Sequence, residues 1–174
     1  RDGRRLGVLT MDARFWLSDR GGPFRLAFAD PTLGRSVLSS DGARLAVGNI
    51  HGVTVRDPES GEVLLDLPTP IRVTALGWSA DDRLLAAGLL DGTVLVWRVA
   101  DGALLGELVG HTDRVSAVVF DDAGTRLVSG SWDRGARIWD TTVLEAPAGP
   151  LAAQVRSAWG ITLSDVLGEE GAPD

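Results

Sequence analysis

Short apolar runs separated by turns bearing aspartate or glycine recur along the chain, and they fall into four copies of one pattern. The third copy is the clearest. Arg72-Val73-Thr74-Ala75-Leu76-Gly77-Trp78 reads as a strand a, and Asp81-Asp82 turns it into strand b, Leu84-Leu85-Ala86-Ala87-Gly88. Asp91-Gly92, a strong two-residue hairpin signal, delivers strand c, Thr93-Val94-Leu95-Val96-Trp97, and Asp101-Gly102 delivers strand d, Ala103 to Leu108. Strand c is apolar at successive positions instead of alternating. That suits a sheet covered on both faces better than one with a solvated side.

The fourth copy repeats the order with Val115 to Phe120, Leu127 to Ser131 and Ala136 to Trp139. The second gives Val37-Leu38, Leu45 to Gly48, Val53 to Val55 and Val63 to Leu67, while residues 1–28 supply only b, c and d. Gly48, Gly88 and Gly130 stand in register at steps of 40 and 42 residues. Periods of about 40 to 45 residues with four strands each are the signature of propeller blades. The expected fold is all-β, a partial propeller of about four blades over residues 1–145, with the chain starting inside a blade. After Asp140 the rhythm stops, and nothing there reads as an outer strand d for the last blade. Ala146-Pro147-Ala148-Gly149-Pro150 is a break, and Leu151, Val155 and Ala158 with Trp159 recur at helical spacing. Residues 146–174 are therefore expected to form a tail, a short helix capping the propeller and then a frayed acidic end from Gly168 to Asp174.

Size and composition narrow the picture. A chain of 174 residues, 44% hydrophobic, holds one folded unit plus a tail. No run approaches the roughly 18 apolar residues that span a bilayer, and no amino-terminal signal pattern appears, so a cytoplasmic chain without a membrane partner is expected. The absence of cysteine excludes disulfides and thiolate metal sites. The 24 acids outweigh 17 bases, for a net charge of −7 without a dense basic block, which argues against nucleic acid as a partner. Every base is arginine, and Ala, Gly, Leu and Val are abundant, a bias typical of G+C-rich bacterial coding sequence. Without lysine there is no phosphate loop of the Gly-rich, lysine-bearing kind.

Gly110-His111, then Leu127-Val128-Ser129-Gly130-Ser131-Trp132-Asp133, then Trp139-Asp140 resembles the WD-repeat family of β-propellers. Trp97-Arg98 is a near match to the closing dipeptide, whereas Arg56-Asp57 and Ser18-Asp19 keep only its second letter. The resemblance implies a hydrogen-bonded structural tetrad of His111, Ser129, Asp133 and Trp139 inside the last blade. The preceding blade departs from it, with Thr69 at the histidine position and Ala87 at the serine position, although Asp91 and Trp97 remain. Ser129, His111 and Asp133 also match a nucleophile, base and orienting acid. A buried tetrad accounts for all four residues, since unsatisfied buried polar groups cost about 1 to 3 kcal/mol each, whereas catalysis needs an accessible hydroxyl. His51 falls in the b-to-c turn, where a turn hydrogen bond is expected, and two separated histidines do not make a zinc site. No catalytic, cofactor or metal residues are assigned.

Met11, Ile50, Leu90 and Trp132 immediately precede the b-to-c turn residue in the four copies. In the resembled fold this position lies at the rim of the upper face, near the channel. The four form a candidate partner-binding patch flanked by Arg72 and Arg114, unless they tuck against neighbouring blades. The resemblance further implies seven or eight blades in a closed ring, the missing outer strand coming from upstream of Arg1, and a parent protein with a switch or kinase domain ahead of the propeller. The expected function is a protein-protein interaction scaffold or sensor of a larger bacterial signalling protein, not an enzyme, and the isolated chain is expected to self-associate through its open blade edges. The alternative is a small-molecule-binding or enzymatic propeller that uses the central channel.

Overall fold

Each a-to-b turn is built by a serine or aspartate that satisfies the backbone of the turn itself. Ser39 Oγ accepts the Arg44 N–H, and Asp41 Oδ1 accepts the Ala43 N–H, at 2.9 Å each. One repeat later, Ser79 Oγ accepts the Leu84 N–H at 2.9 Å and Asp81 Oδ1 the Arg83 N–H at 3.1 Å. Asp121 Oδ1 takes the N–H groups of Thr125 and Arg126 in the fourth repeat. These local bonds fix the reversal, and the β-branched and leucine-rich segments on either side pair as strands.

The computed structural model describes residues 5–19, 21–31, 34–144 and 160–162. It is all-β. A three-stranded antiparallel sheet holds β1 (Arg5–Leu9), β2 (Arg14–Asp19) and β3 (Arg25–Ala29). Two four-stranded sheets follow. The first is β4 (Arg35–Leu38), β5 (Leu45–Gly48), β6 (Gly52–Arg56) and β7 (Val63–Pro68); the second is β8 (Val73–Trp78), β9 (Leu84–Leu89), β10 (Val94–Arg98) and β11 (Ala103–Leu108). The fourth sheet holds β12 (Val115–Phe120), β13 (Arg126–Ser131), β14 (Ala136–Asp140) and β15 (Gly160–Thr162), with a 3-10 turn at Thr142–Leu144. Sequential strands are neighbours throughout, the meander of a propeller blade.

The presence of β15 corrects one expectation. An outer strand after Asp140 was not anticipated, yet Gly160–Thr162 pairs antiparallel with β14, Ile161 opposite Ile138. Three residues are too few to show a period-2 pattern, so nothing in the local sequence marks them as a strand. The helix expected over Leu151 to Trp159 and the frayed end from Gly168 lie outside the described residues.

Three apolar cores sit at the three junctions between successive sheets. Phe15, Leu17, Leu45 and Val47 join the first and second. Val53, Val73, Trp78, Leu85 and Trp97 belong to the core between the second and third, and Val94, Val115, Phe120, Leu127 and Trp139 to that between the third and fourth. All six residues of β9 are buried, as expected of a strand with a blade on either side. The glycine that recurs at the end of strand b has a packing cause. A Cβ on Gly48 would lie 2.9 Å from Val73 Cβ, and one on Gly88 2.6 Å from Val115 Cβ, so each glycine admits the first valine of the next blade's strand a.

Polar bonds also cross the junctions. The Trp78 indole donates to the Val37 carbonyl at 3.1 Å, and the Thr74 hydroxyl to the Val115 carbonyl at 2.6 Å. Asp82 adopts the left-handed conformation, φ 57°, at the turn position where Gly42 and Gly124 have φ 70° and 68°. Its carboxylate accepts the N–H groups of Ser40 and Asp41 at 2.6 and 3.0 Å, tying the third sheet to the second. An aspartate tolerates this backbone better than most residues, and here the conformation aims it across the junction.

Candidate functional site

Two sets of side chains singled out by the sequence stand apart in the structure, one inside the fourth sheet and one on the rim. The first is a continuous hydrogen-bonded chain. His111 Nδ1 lies 2.8 Å from Asp133 Oδ2, His111 Nε2 lies 2.9 Å from Ser129 Oγ, and Trp139 Nε1–H donates to Ser129 Oγ at 2.8 Å. Burial alone would raise the Asp133 carboxyl. The N–H of Gly135, the His111 ring and the N–H of Thr112 more than offset that and hold it at about 2. Ionised at neutral pH, the carboxylate can only accept, so Nδ1 donates to it, and the tautomer with its proton on Nδ1 leaves Nε2 to accept from the Ser129 hydroxyl. Each group then has a partner. Ser129 is 0% exposed, its oxygen also accepts the indole proton, and its hydroxyl is therefore closed to a substrate.

The other blades fill these positions differently. In the third sheet Ala87 replaces the serine, and the buried Trp97 indole N–H has no acceptor among the described residues. Thr69 turns its hydroxyl to the Ile71 carbonyl at 2.7 Å. In the second sheet Arg56 stands where the tryptophan would be. It is buried, with its guanidinium on Asp30 at 2.8 Å, on Thr54 Oγ1 at 3.0 Å and on the Gly61 carbonyl at 3.3 Å. Sequence reasoning saw only a lost motif letter there and missed the ion pair, because Asp30 is 26 residues away. In the first sheet the buried Ser18 donates to the Gly22 carbonyl at 2.6 Å. The second b-to-c turn also differs from expectation in detail. Asn49 Oδ1 accepts the His51 backbone N–H at 2.7 Å, so the turn bond comes from Asn49 and the His51 main chain.

The second set lies on the b-to-c turns. Trp132 is 61% exposed, Ile50 60% and Leu90 48%, and Met11 is fully open. Ile50, Leu90 and Trp132 line one cavity of about 690 Å³ that also includes Arg72 and Arg114; Met11 lies outside it. The Arg114 guanidinium stacks on the Trp132 ring, 3.3 Å from its centroid. Adjacent turns are bridged by backbone bonds, Leu90 N–H to Arg72 O and Trp132 N–H to Arg114 O, both 3.1 Å. The turns that carry Leu90 and Trp132 are thus tied to the starts of their own blades' strands a.

Four-stranded antiparallel meanders packed face to face, with a buried Asp-His-Ser-Trp chain inside one of them, define a β-propeller of WD type. Comparison with known proteins agrees. The family model for the WD domain, G-beta repeat, matches residues 64–98 and 102–140. An uncharacterized WD repeat-containing protein of Synechocystis is 37% identical over 138 residues, 78% of this chain and 38% of that protein. Transcription factor unc-37 of Caenorhabditis elegans is 35% identical over 105 residues, 59% of this chain and 17% of that protein. A chain in the crystal structure of the mitotic checkpoint complex superposes with a TM-score of 0.68 at 24% identity, over 78% of this chain and 45% of that one, a likeness of fold alone. The chain belongs to the WD-repeat β-propellers. It spans well under half the length of the curated relatives it matches.

Proposed function

We propose that this chain is a non-enzymatic interaction module whose b-to-c rim receives protein partners, as the sensor or adaptor part of a larger bacterial signalling protein. The observation that carries the reading is the exposure of Met11, Ile50, Leu90 and Trp132 on turns of successive sheets. Apolar side chains displayed together on a rigid scaffold favour association, at about 25 cal/mol per Å² of apolar surface covered. WD repeats in general mediate protein-protein interaction, and this chain has two matched ones. The likeness to the Synechocystis protein and the arginine-only base usage support the bacterial assignment.

The test is Trp132→Asp. The variant is expected to lose partners that the unmodified chain retains from a bacterial lysate, with a melting temperature within about 2 °C of the parent because the ring is exposed. Equal capture by both proteins overturns the assignment of the rim.

The same reading includes self-association. Leu6 and Val8 are exposed on the first sheet, and Val119 and Val128 on the fourth. Val119, Val128 and Ile138 form a cross-strand row. One repeat earlier the corresponding row, Gly77, Ala86 and Val96, is buried beneath the fourth sheet. These open faces therefore present surfaces of the kind that a blade covers elsewhere in the chain.

A further inference from the structure

The rim cavity has a charge that the rest of the chain does not. The protein carries a net charge of −7, yet Arg35, Arg72 and Arg114 all line the cavity, and none of its described lining residues is an aspartate or glutamate. The three come from the starts of strand a in three successive sheets. Elsewhere Arg5, Arg14, Arg25, Arg56, Arg83 and Arg98 each pair with a carboxylate within 3.4 Å. No described carboxylate pairs with Arg35, Arg72 or Arg114. The nearest acid in sequence, Asp113, points an oxygen at the Arg114 backbone N–H at 2.6 Å and lies outside the lining.

We infer that the cavity binds an acidic peptide segment, with side-chain carboxylates on the three arginines and one apolar residue against Trp132, Ile50 and Leu90. This rests on the rim being the partner surface and adds the chemistry of the partner. Stacking on Trp132 holds the Arg114 guanidinium flat, so its N–H edge is presented as a fixed fork suited to a carboxylate, with little rotamer freedom left to lose. The net negative charge of the chain does not cancel this, because charges beyond about 8 to 10 Å are screened at physiological salt. A cavity of about 690 Å³ takes a few residues, enough for an apolar anchor flanked by acids.

The experiment measures fluorescence anisotropy of a labelled dodecapeptide of glutamates around one central leucine, titrated with the full chain. Matched peptides carry glutamine, lysine or phosphoserine in place of glutamate, and a dodecameric oligothymidylate is run alongside. The glutamate peptide is expected to bind, to weaken as sodium chloride rises from about 0.05 to about 0.3 M, and to outcompete the glutamine and lysine peptides. Each of Arg35→Gln, Arg72→Gln and Arg114→Gln is expected to weaken it about tenfold, the loss of one charge-assisted hydrogen bond, with unchanged melting. Equal binding of the glutamine peptide, no binding of the glutamate peptide, tighter binding of the phosphoserine peptide, or tighter binding of the oligonucleotide each overturns the acidic-peptide assignment. If Trp132→Asp abolishes lysate capture while the glutamate peptide fails to bind, the partner class is wrong and the rim stands. If Trp132→Asp leaves capture intact, the rim itself is wrong.

Discussion

Gly88 and Gly130 occupy the same register in successive blades, opposite Ala75 and Ala117 on their respective strands a, but only Gly88 has a blade packed over it. A methyl group at Gly88 would lie 2.6 Å from Val115 Cβ and 3.3 Å from Ala75 Cβ. Val115 is fully buried and β-branched, so it has neither space nor a second good rotamer to retreat into. At Gly130 the nearest atom is Ser116 Oγ, at 3.9 Å, an ordinary contact. Replacing glycine by alanine within a strand gains roughly 0.5 to 1 kcal/mol from reduced backbone freedom, while overpacking a core costs about 1 to 3 kcal/mol. Gly88→Ala is therefore expected to lose about 1 to 2 kcal/mol net, and Gly130→Ala to be neutral or slightly stabilising. Urea denaturation followed by far-ultraviolet circular dichroism measures both, with the difference in midpoint at constant slope as the readout. If Gly130→Ala proves as damaging as Gly88→Ala, the glycine is demanded by the strand itself, and the account of how one blade seats the next fails.

Ser129→Ala leaves the Trp139 indole and His111 Nε2 buried without partners, and is expected to cost about 2 to 5 kcal/mol in the same urea assay; a loss under about 0.5 kcal/mol, the range of an ordinary surface change, would mean that the hydrogen-bonded chain adds nothing to the blade. Sedimentation of the 174-residue chain should give species larger than a monomer, shifted toward monomer by Val119→Asp with Val128→Asp, and a parent chain that sediments as a sharp monomer contradicts association through the open faces.

The strands were legible because their residue types and turns carry local information. The Asp-Gly hairpins, the apolar runs of strand c and the 40- and 42-residue steps gave β10, β11 and their equivalents β6, β7 and β14 to within about two residues, the usual play at element ends. The tetrad was legible because a family resemblance links four residues up to 28 positions apart, His111 to Trp139. The rim residues were legible as a column of apolar positions. Their exposure and their gathering with Arg35 were not, because Arg35 does not stand in the same register as Arg72 and Arg114.

By itself the sequence determined an all-β repeat with aspartate-built turns, since hydrophobic period and turn chemistry act over a few residues. Only the tertiary structure decided why a glycine recurs at the end of strand b, that Asp82 clamps the neighbouring sheet, that Arg56 finds Asp30, and that Ile161 pairs with Ile138. Each of these depends on two segments meeting across a blade or a junction. Pairings between distant segments are selected by packing and by the need to satisfy buried polar groups, and neither leaves a periodic mark on the chain.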